Sequence, residues 1–243
     1  MEARNARERE HFDQLANETG AAWWGSATRA GQLRLDERGG ITIQRADLRP
    51  GRIVLEPGAG NGEFTLRIAR SGATIVGVEI SPKQVGIASR RLEAFPETTV
   101  QVGDVDHLDF PDNHFDAVVG QSVLHHLELD RSLPEFRRVL KPGGRLFFLE
   151  PNMLNPQIAV EKNIKAIGRH LQNSPDETAF FRWQIVRILR EHRFSNPSAR
   201  PFDFLHPGTP AFLVRTVHAI SRALSATPVL REIAGSLQIY AEG

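Results

Sequence analysis

The residues best equipped for chemistry lie at Glu56-Pro57-Gly58-Ala59-Gly60-Asn61-Gly62 and at His125-His126. In the first stretch a carboxylate is followed by glycines at alternate positions. A residue without a Cβ can take φ > 0 and lets a ligand lie against bare backbone. A carboxylate beside such a turn repels phosphate and attracts an ammonium group. The dinucleotide fingerprint Gly-x-Gly-x-x-Gly needs its third glycine where Glu63 stands, so a pyrophosphate is a poor fit. The two histidines offer neutral imidazole near pH 7, a group suited to taking a proton from an acceptor. Only one of two adjacent helical residues can face a given point, and His126 is favoured over His125. A metal is not expected, because helical neighbours diverge by about 100° and no third ligand stands nearby.

The elements that must position these groups follow from periodicity. Ile53 to Leu55 reads as a strand running into Glu56, and Phe64, Leu66 and Ile68 open a helix from Glu63 to about Arg70 that Ser71-Gly72 closes. Thr74 to Glu79 is a second strand ending in an acid. That acid lies about twenty residues beyond the glycine turn, where Rossmann-like folds place a carboxylate on a ribose. Ser81-Pro82 supplies an N-cap and first helical position. Thr98 to Val102 leads into Gly103-Asp104-Val105, Ala117 to Val119 into Gly120-Gln121-Ser122, and Arg145 to Leu149 into Glu150. A helix from Leu133 to Leu140 precedes the last of these, with Lys141-Pro142-Gly143-Gly144 as the turn between. Strands alternating with helices predict an α/β fold with a doubly wound parallel sheet and ligands at the strands' carboxyl ends. Glu56, Glu79, Asp104, Gln121 and Glu150 all fall at those ends.

Three stretches carry a resemblance. Glu-x-Gly-x-Gly-x-Gly at 56–62, Phe115-Asp116-Ala117-Val118-Val119 ahead of Gly120 to Leu127, and Leu140-Lys141-Pro142-Gly143-Gly144 resemble, in order and spacing, the motifs of class I S-adenosylmethionine (SAM) dependent methyltransferases. The likeness is to the small-molecule UbiE or type 11 group and covers roughly Arg52 to Pro151. It implies a Rossmann-like sheet of seven strands, mostly parallel with an antiparallel last strand, and helical lid insertions. It also implies S-adenosyl-L-methionine as cofactor, held by Glu56, Gly58, Gly60, Gly62, Glu79, Ile80, Asp104, Val105 and the Gln121 backbone. Glu79 would take the ribose hydroxyls, Asp104 the adenine amino group, and His126 or His125 the acceptor's proton. Residues 1–50 would form a helical cap, 51–151 the SAM-binding core, and 152–243 acceptor-side helices and the last strands of the same domain. The fourth strand ends in Gly120-Gln121-Ser122 and not in the Asn/Asp-Pro-Pro-Tyr/Phe turn of amino-directed nucleic-acid enzymes. The expected acceptor is a small molecule, a glycan or a lipid-linked group, methylated at oxygen. Two other readings share parts of this pattern: a catalytically silent SAM-binding regulatory partner, and an NAD-dependent oxidoreductase, which the glycine spacing disfavours.

Composition agrees with an enzyme of this size. The 243 residues are 40% hydrophobic and 24% charged, enough for one domain with elaborations. Lys and Arg number 30 against 29 Asp and Glu, with none of the basic excess that marks a nucleic-acid binder. The absence of cysteine removes disulfides, zinc-thiolate sites and cytosine C5 chemistry. Met1 to Glu10 has no apolar signal core and no run of 18 apolar residues occurs, so a bacterial-type cytoplasmic protein is expected. Arg4 to Ala16 reads as a surface helix, Trp23-Trp24 as a core plug or a pocket wall, and Gly39-Gly40 as a link. Helices are expected over Ile158 to Leu171, bearing Lys162, Lys165, Arg169 and His170, and over Phe180 to Glu191 and Ala211 to Leu224. Pro201 to Pro207 should follow a sixth strand, and Ser236 to Ala241 should form the last. In the Ala211 helix, Phe212, Val217, Ile220 and Leu224 alternate with Arg215, His218 and Arg222. Burial against a lid is the favoured reading for them, and contact with a lipid surface the other.

Overall fold

The computed structural model describes residues 2–18, 26–164 and 178–243. Helices α1 (Glu2–Glu18) and α2 (Arg29–Ala46) precede β1 (Ile53–Pro57), α3 (Thr65–Ile68), β2 (Thr74–Glu79), α4 (Pro82–Arg91) and β3 (Thr98–Val102). Then come β4 (Phe115–Gln121), α5 (Leu129–Val139), β5 (Leu140–Pro151), α6 (Pro156–Asn163), α7 (Arg182–Glu191), β6 (Ser195–Phe202), α8 (Val214–Ala226) and β7 (Ser236–Glu242). Trp23, Trp24, Lys165, Arg169 and His170 lie outside the described residues.

The strands form one seven-stranded sheet in the order β3-β2-β1-β4-β5-β7-β6. Neighbours from β3 to β5 run parallel, and β7 is antiparallel to both β5 and β6. This is the expected Rossmann-like sheet with its last strand reversed. The strand order turns back between β1 and β4, and ligands of open α/β sheets bind at the carboxyl ends beside such a point.

Period-two alternation distributes the core to both faces. Leu55, Val118, Leu146 and Phe148 pack on one side with Phe136 of α5 and with Ile185 and Leu189 of α7. Their neighbours Val54, Ala117, Val119, Phe147 and Leu149 pack on the other with Ala46, Phe64 and Ile68. Local signals fix several ends: Ser81 accepts from the Gln84 amide at 3.2 Å with Pro82 at the first position of α4, and Gly72 closes the turn after α3 at φ 72°.

Four expectations need correction. Gly39-Gly40 is no link but lies inside α2, where a Cβ on Gly39 would stand 2.5 Å from Arg67 Cβ. Close packing of α3 on α2 therefore overrides glycine's poor helix propensity. The helix after the glycine turn is shorter than expected, with α3 tightening into a 3₁₀ turn at Ala69–Ser71. Lys141 to Gly144 belongs to β5: Leu140 pairs with Phe115, the register then shifts, and Gly143 and Gly144 exchange backbone hydrogen bonds with Gly243 at 3.2 and 2.9 Å. Pro201 and Phe202 end β6 instead of following it, and proline is tolerated there because β6 is an edge strand.

Candidate cofactor and acceptor cleft

A cleft of about 460 Å³ opens at the carboxyl ends of the strands, within the size range of small-molecule sites. Glu56, Gly58 and Gly60 from the first turn line it, followed by Glu79 and Ile80, Asp104 and Val105, and Gln121. His125 and His126 close the same wall. Gly62 is not part of it: at φ 78°, its Cβ position lies 3.1 Å from Ala88 Cα, so this glycine lets α4 approach the turn. Gly60, at φ 53°, would carry its Cβ into open space with nothing within 4 Å, which leaves its backbone accessible from the cleft.

The acids along this wall differ in their surroundings. Glu56 is 2% exposed, and its Oε2 has no hydrogen-bond partner. Burial pushes its carboxyl up to about 8, the nearby Thr65 hydroxyl opposes this from a position short of a formed hydrogen bond, and the Glu79 charge adds to it. Glu79 accepts from the Ser81 amide at Oε1 and the Gly60 amide at Oε2, both at 2.9 Å. Burial raises its pKa, and those amides pull it back. Asp104 accepts from the Asp106 amide at 2.9 Å. The side-chain oxygen of Gln121 is buried with no hydrogen-bond partner. A cation entering beside Glu56 would relieve a buried, unpartnered acid, which is the arrangement an ammonium group needs.

The two histidines sit in a short 3₁₀ turn (Leu124–His126) after β4. Ser122 makes the bend at φ 54°, a conformation that costs a non-glycine residue energy and recurs at functional sites. His125 is buried, with Nδ1 2.6 Å from Glu150 Oε2, while Glu150 Oε1 accepts from the Val123 and Leu124 amides at 2.9 Å each. The His126 ring lies 4.2 Å from that of His125, centre to centre, with Nδ1 3.3 Å from Glu8 Oε2 of α1, and stands edge-on to Phe12. Its carbonyl accepts from Arg4 at 2.7 Å. Helix α1 is thus laid over the cleft, and Asp13 and the Phe12 carbonyl tie it to Ser81 and Gln84 on α4. No group of acids and histidines suited to a metal ion occurs among the described residues.

Sequence reasoning missed the part of the cleft lined by α2 and the residues after β6. Arg34 and Arg38 of α2 converge on Asp203 at 2.8 and 3.0 Å, and Arg38 also donates to Ser236 at 2.5 Å. Burial, with the Arg34 charge, lowers Arg38 to about 10. Burial pushes Asp203 up, but the two guanidiniums outweigh it and hold the carboxyl below its ordinary range. Glu8, on a helix whose charge pattern predicts a surface position, is 6% exposed. No local pattern marks either contact.

Comparison with known proteins places this geometry. Residues 55–148 match the type 11 methyltransferase domain family. Demethylmenaquinone methyltransferase of Symbiobacterium thermophilum is 35% identical over 150 residues, 58% of this chain and 58% of that protein. The chain spans about half the length of the curated relatives it matches. Among solved structures, a SAM-dependent methyltransferase from Thermotoga maritima superposes with a TM-score of 0.66 at 17% identity, covering 96% of this chain and 98% of that one. The [4+2]-cyclase SpnF superposes at 0.63 with 23% identity, covering 85% and 80%. Residues 55–148 therefore match a type 11 methyltransferase domain, and the sheet around them has the fold of S-adenosylmethionine-dependent methyltransferases.

Proposed function

We propose that this protein transfers a methyl group from SAM to a small or lipid-linked acceptor, and that His126 takes the acceptor's proton. The observation that carries the reading is the convergence of Glu56, Glu79, Asp104 and Gln121 on one cleft with His126 on the same wall. SAM, when bound, supplies a methyl group on a cationic sulfur. Glu56 pairs with the amino-acid ammonium, Glu79 accepts from the ribose hydroxyls, and Asp104 accepts from the adenine amino group. Gly58, Gly60 and the Gln121 backbone border the same ligand, with Ile80 and Val105 against its rings. The chain's contribution is alignment of acceptor and methyl in surroundings that exclude water.

Oxygen is the atom first expected, and a carbon is the second reading, favoured by the similarity to demethylmenaquinone methyltransferases. One base serves both. Loss of the proton from a ring hydroxyl to His126 leaves an electron pair shared between the oxygen and the ring carbons, and either can bond to the methyl as the carbon–sulfur pair departs with sulfur. The SpnF likeness is a reminder that the fold by itself does not fix the reaction.

Calorimetry with SAM tests the cofactor half: Glu79→Ala should weaken binding at least tenfold, about 1.4 kcal/mol, and unchanged affinity sinks the ribose assignment. Methyl-labelled SAM with isoprenoid hydroquinones and simple phenols tests the other half. The carbon shift of the labelled product separates a methoxy from a ring methyl, and binding without any transfer supports the silent alternative.

A further inference from the structure

The region around α8 bears an apolar surface that the methyl-transfer reading does not use. Phe212 is 82% exposed, Val229 80% and Ile220 53%, with Leu230 and Ile233 close to half exposed. The inner side of α8 is already committed: Val214 is buried against Ala30 and Leu205, with Val217 packed beside them. What faces out is a wide arc with Ile220 at one border, small residues between, and Arg215 and Arg222 at the other border. The short turn Leu230–Ile233 packs against this helix.

Charge narrows the choice of partner. No acidic residue occurs between Asp203 and Glu232, while Arg215, Arg222 and Arg231 fall in that stretch. Arg215 and Arg222 form no ion pair among the described residues, whereas Arg231 lies 4.0 Å from Glu232. A helix whose exposed arc runs from Ile220 to two arginines and carries no acid of its own complements an anionic bilayer, with apolar side chains entering the headgroup layer and guanidiniums meeting phosphates; the nearby Glu37 is already paired with His218. Position adds a second argument. His206 and Pro207 line the cleft, and Phe212 follows within one short loop. Gln157 of α6 contacts His206 at 3.1 Å, and α6 carries Val160 while Ile164 follows it, both 46% exposed. The apolar surface therefore adjoins the mouth of the cleft.

We infer that this face docks on an anionic lipid surface and turns the cleft's mouth toward the bilayer, so that an apolar acceptor enters from the membrane. Docking stands apart from the methyl-transfer reading, because it needs neither SAM nor turnover. The favoured lid reading holds for Val217 and gives way for Phe212 and Ile220.

Flotation of the full chain with phosphatidylcholine vesicles, with and without phosphatidylglycerol, tests it. Binding should require the anionic lipid and weaken with salt. Phe212→Ser should reduce it at least tenfold, and Arg215→Ala and Arg222→Ala about fivefold each, equivalent to ~1 kcal/mol per arginine. Lys83→Ala, at the far edge of the sheet, should change nothing. All three test residues are exposed, so thermal melting should be unaltered and loss of binding cannot be laid to unfolding. Equal binding to both vesicle types, or binding indifferent to Phe212→Ser, overturns the proposal. So does absence of vesicle binding together with a self-association that Phe212→Ser abolishes, which would make the face an interface between copies of this chain.

Discussion

Glu56 and Glu150 occupy the same kind of place and do opposite things. Each closes a strand at the carboxyl end of the sheet, and they are 2% and 1% exposed, but only Glu56 lines the cleft. Glu150 spends its oxygens on the Val123 and Leu124 amides and on His125. Glu56 keeps one oxygen with no partner, and burial lifts its carboxyl to about 8. The difference comes from the bend at Ser122, which folds the chain back over the tip of β5. A strand-end acid that the fold satisfies is a strut for the turn bearing both histidines. One that the fold leaves unsatisfied is suited to a cationic ligand.

The comparison breaks most visibly at Glu150. Glu150→Ala should lower unfolding free energy by about 3–5 kcal/mol, because it strands a buried histidine and two buried amides. Urea denaturation measures this, and a loss under 1 kcal/mol would mean that the strut is ornamental. The histidines should separate the same way. His126→Ala should reduce turnover about a hundredfold, the scale of a lost general base, with SAM affinity and melting temperature near the parent's. His125→Ala should lower melting temperature more. Turnover lost equally in both variants, with both destabilised, would erase the distinction.

Glu56 sharpens the comparison through pH. Its native pKa lies above the ordinary 4.5, so between that value and about 8 the folded chain holds a proton that the unfolded chain has released. Stability of the SAM-free protein should therefore fall as pH rises across this window. Glu56→Gln should flatten that part of the melting curve and weaken SAM binding roughly tenfold. A slope unchanged by the substitution would show that other groups, Glu79 among them, carry it.

Much of the cofactor side was legible because its signals are local. A strand ending in an acid, a glycine turn and a helix cap each occupy a few neighbouring residues, and order along the chain then predicts the sheet. Gly39-Gly40 misled because the reason for glycine there is Arg67 on another helix. The lining from α1, α2 and the residues after β6 was illegible for the same cause on a larger scale. Arg34 and Arg38 meet Asp203 across 169 and 165 positions, and Arg4 meets His126 across 122. No periodicity encodes such pairs. Glu56 and Glu150 looked alike in sequence because the donors that distinguish them come from the Ser122 bend, whose positive φ falls on serine and not on glycine.

The smallest expected effect is at Glu8, which treats His126 much as Glu150 treats His125 but from a helix tied down by a few polar contacts. The 3.3 Å separation sets a carboxylate oxygen beside the ring. Glu8→Gln keeps the shape and removes the charge. If Glu8 holds His126 in position for an acceptor, turnover at saturation should drop a few fold, with KM for SAM little changed. A role confined to holding α1 in place would instead raise KM and leave saturated turnover where it was. That split between turnover and KM separates a residue that positions His126 from one that only closes the cleft.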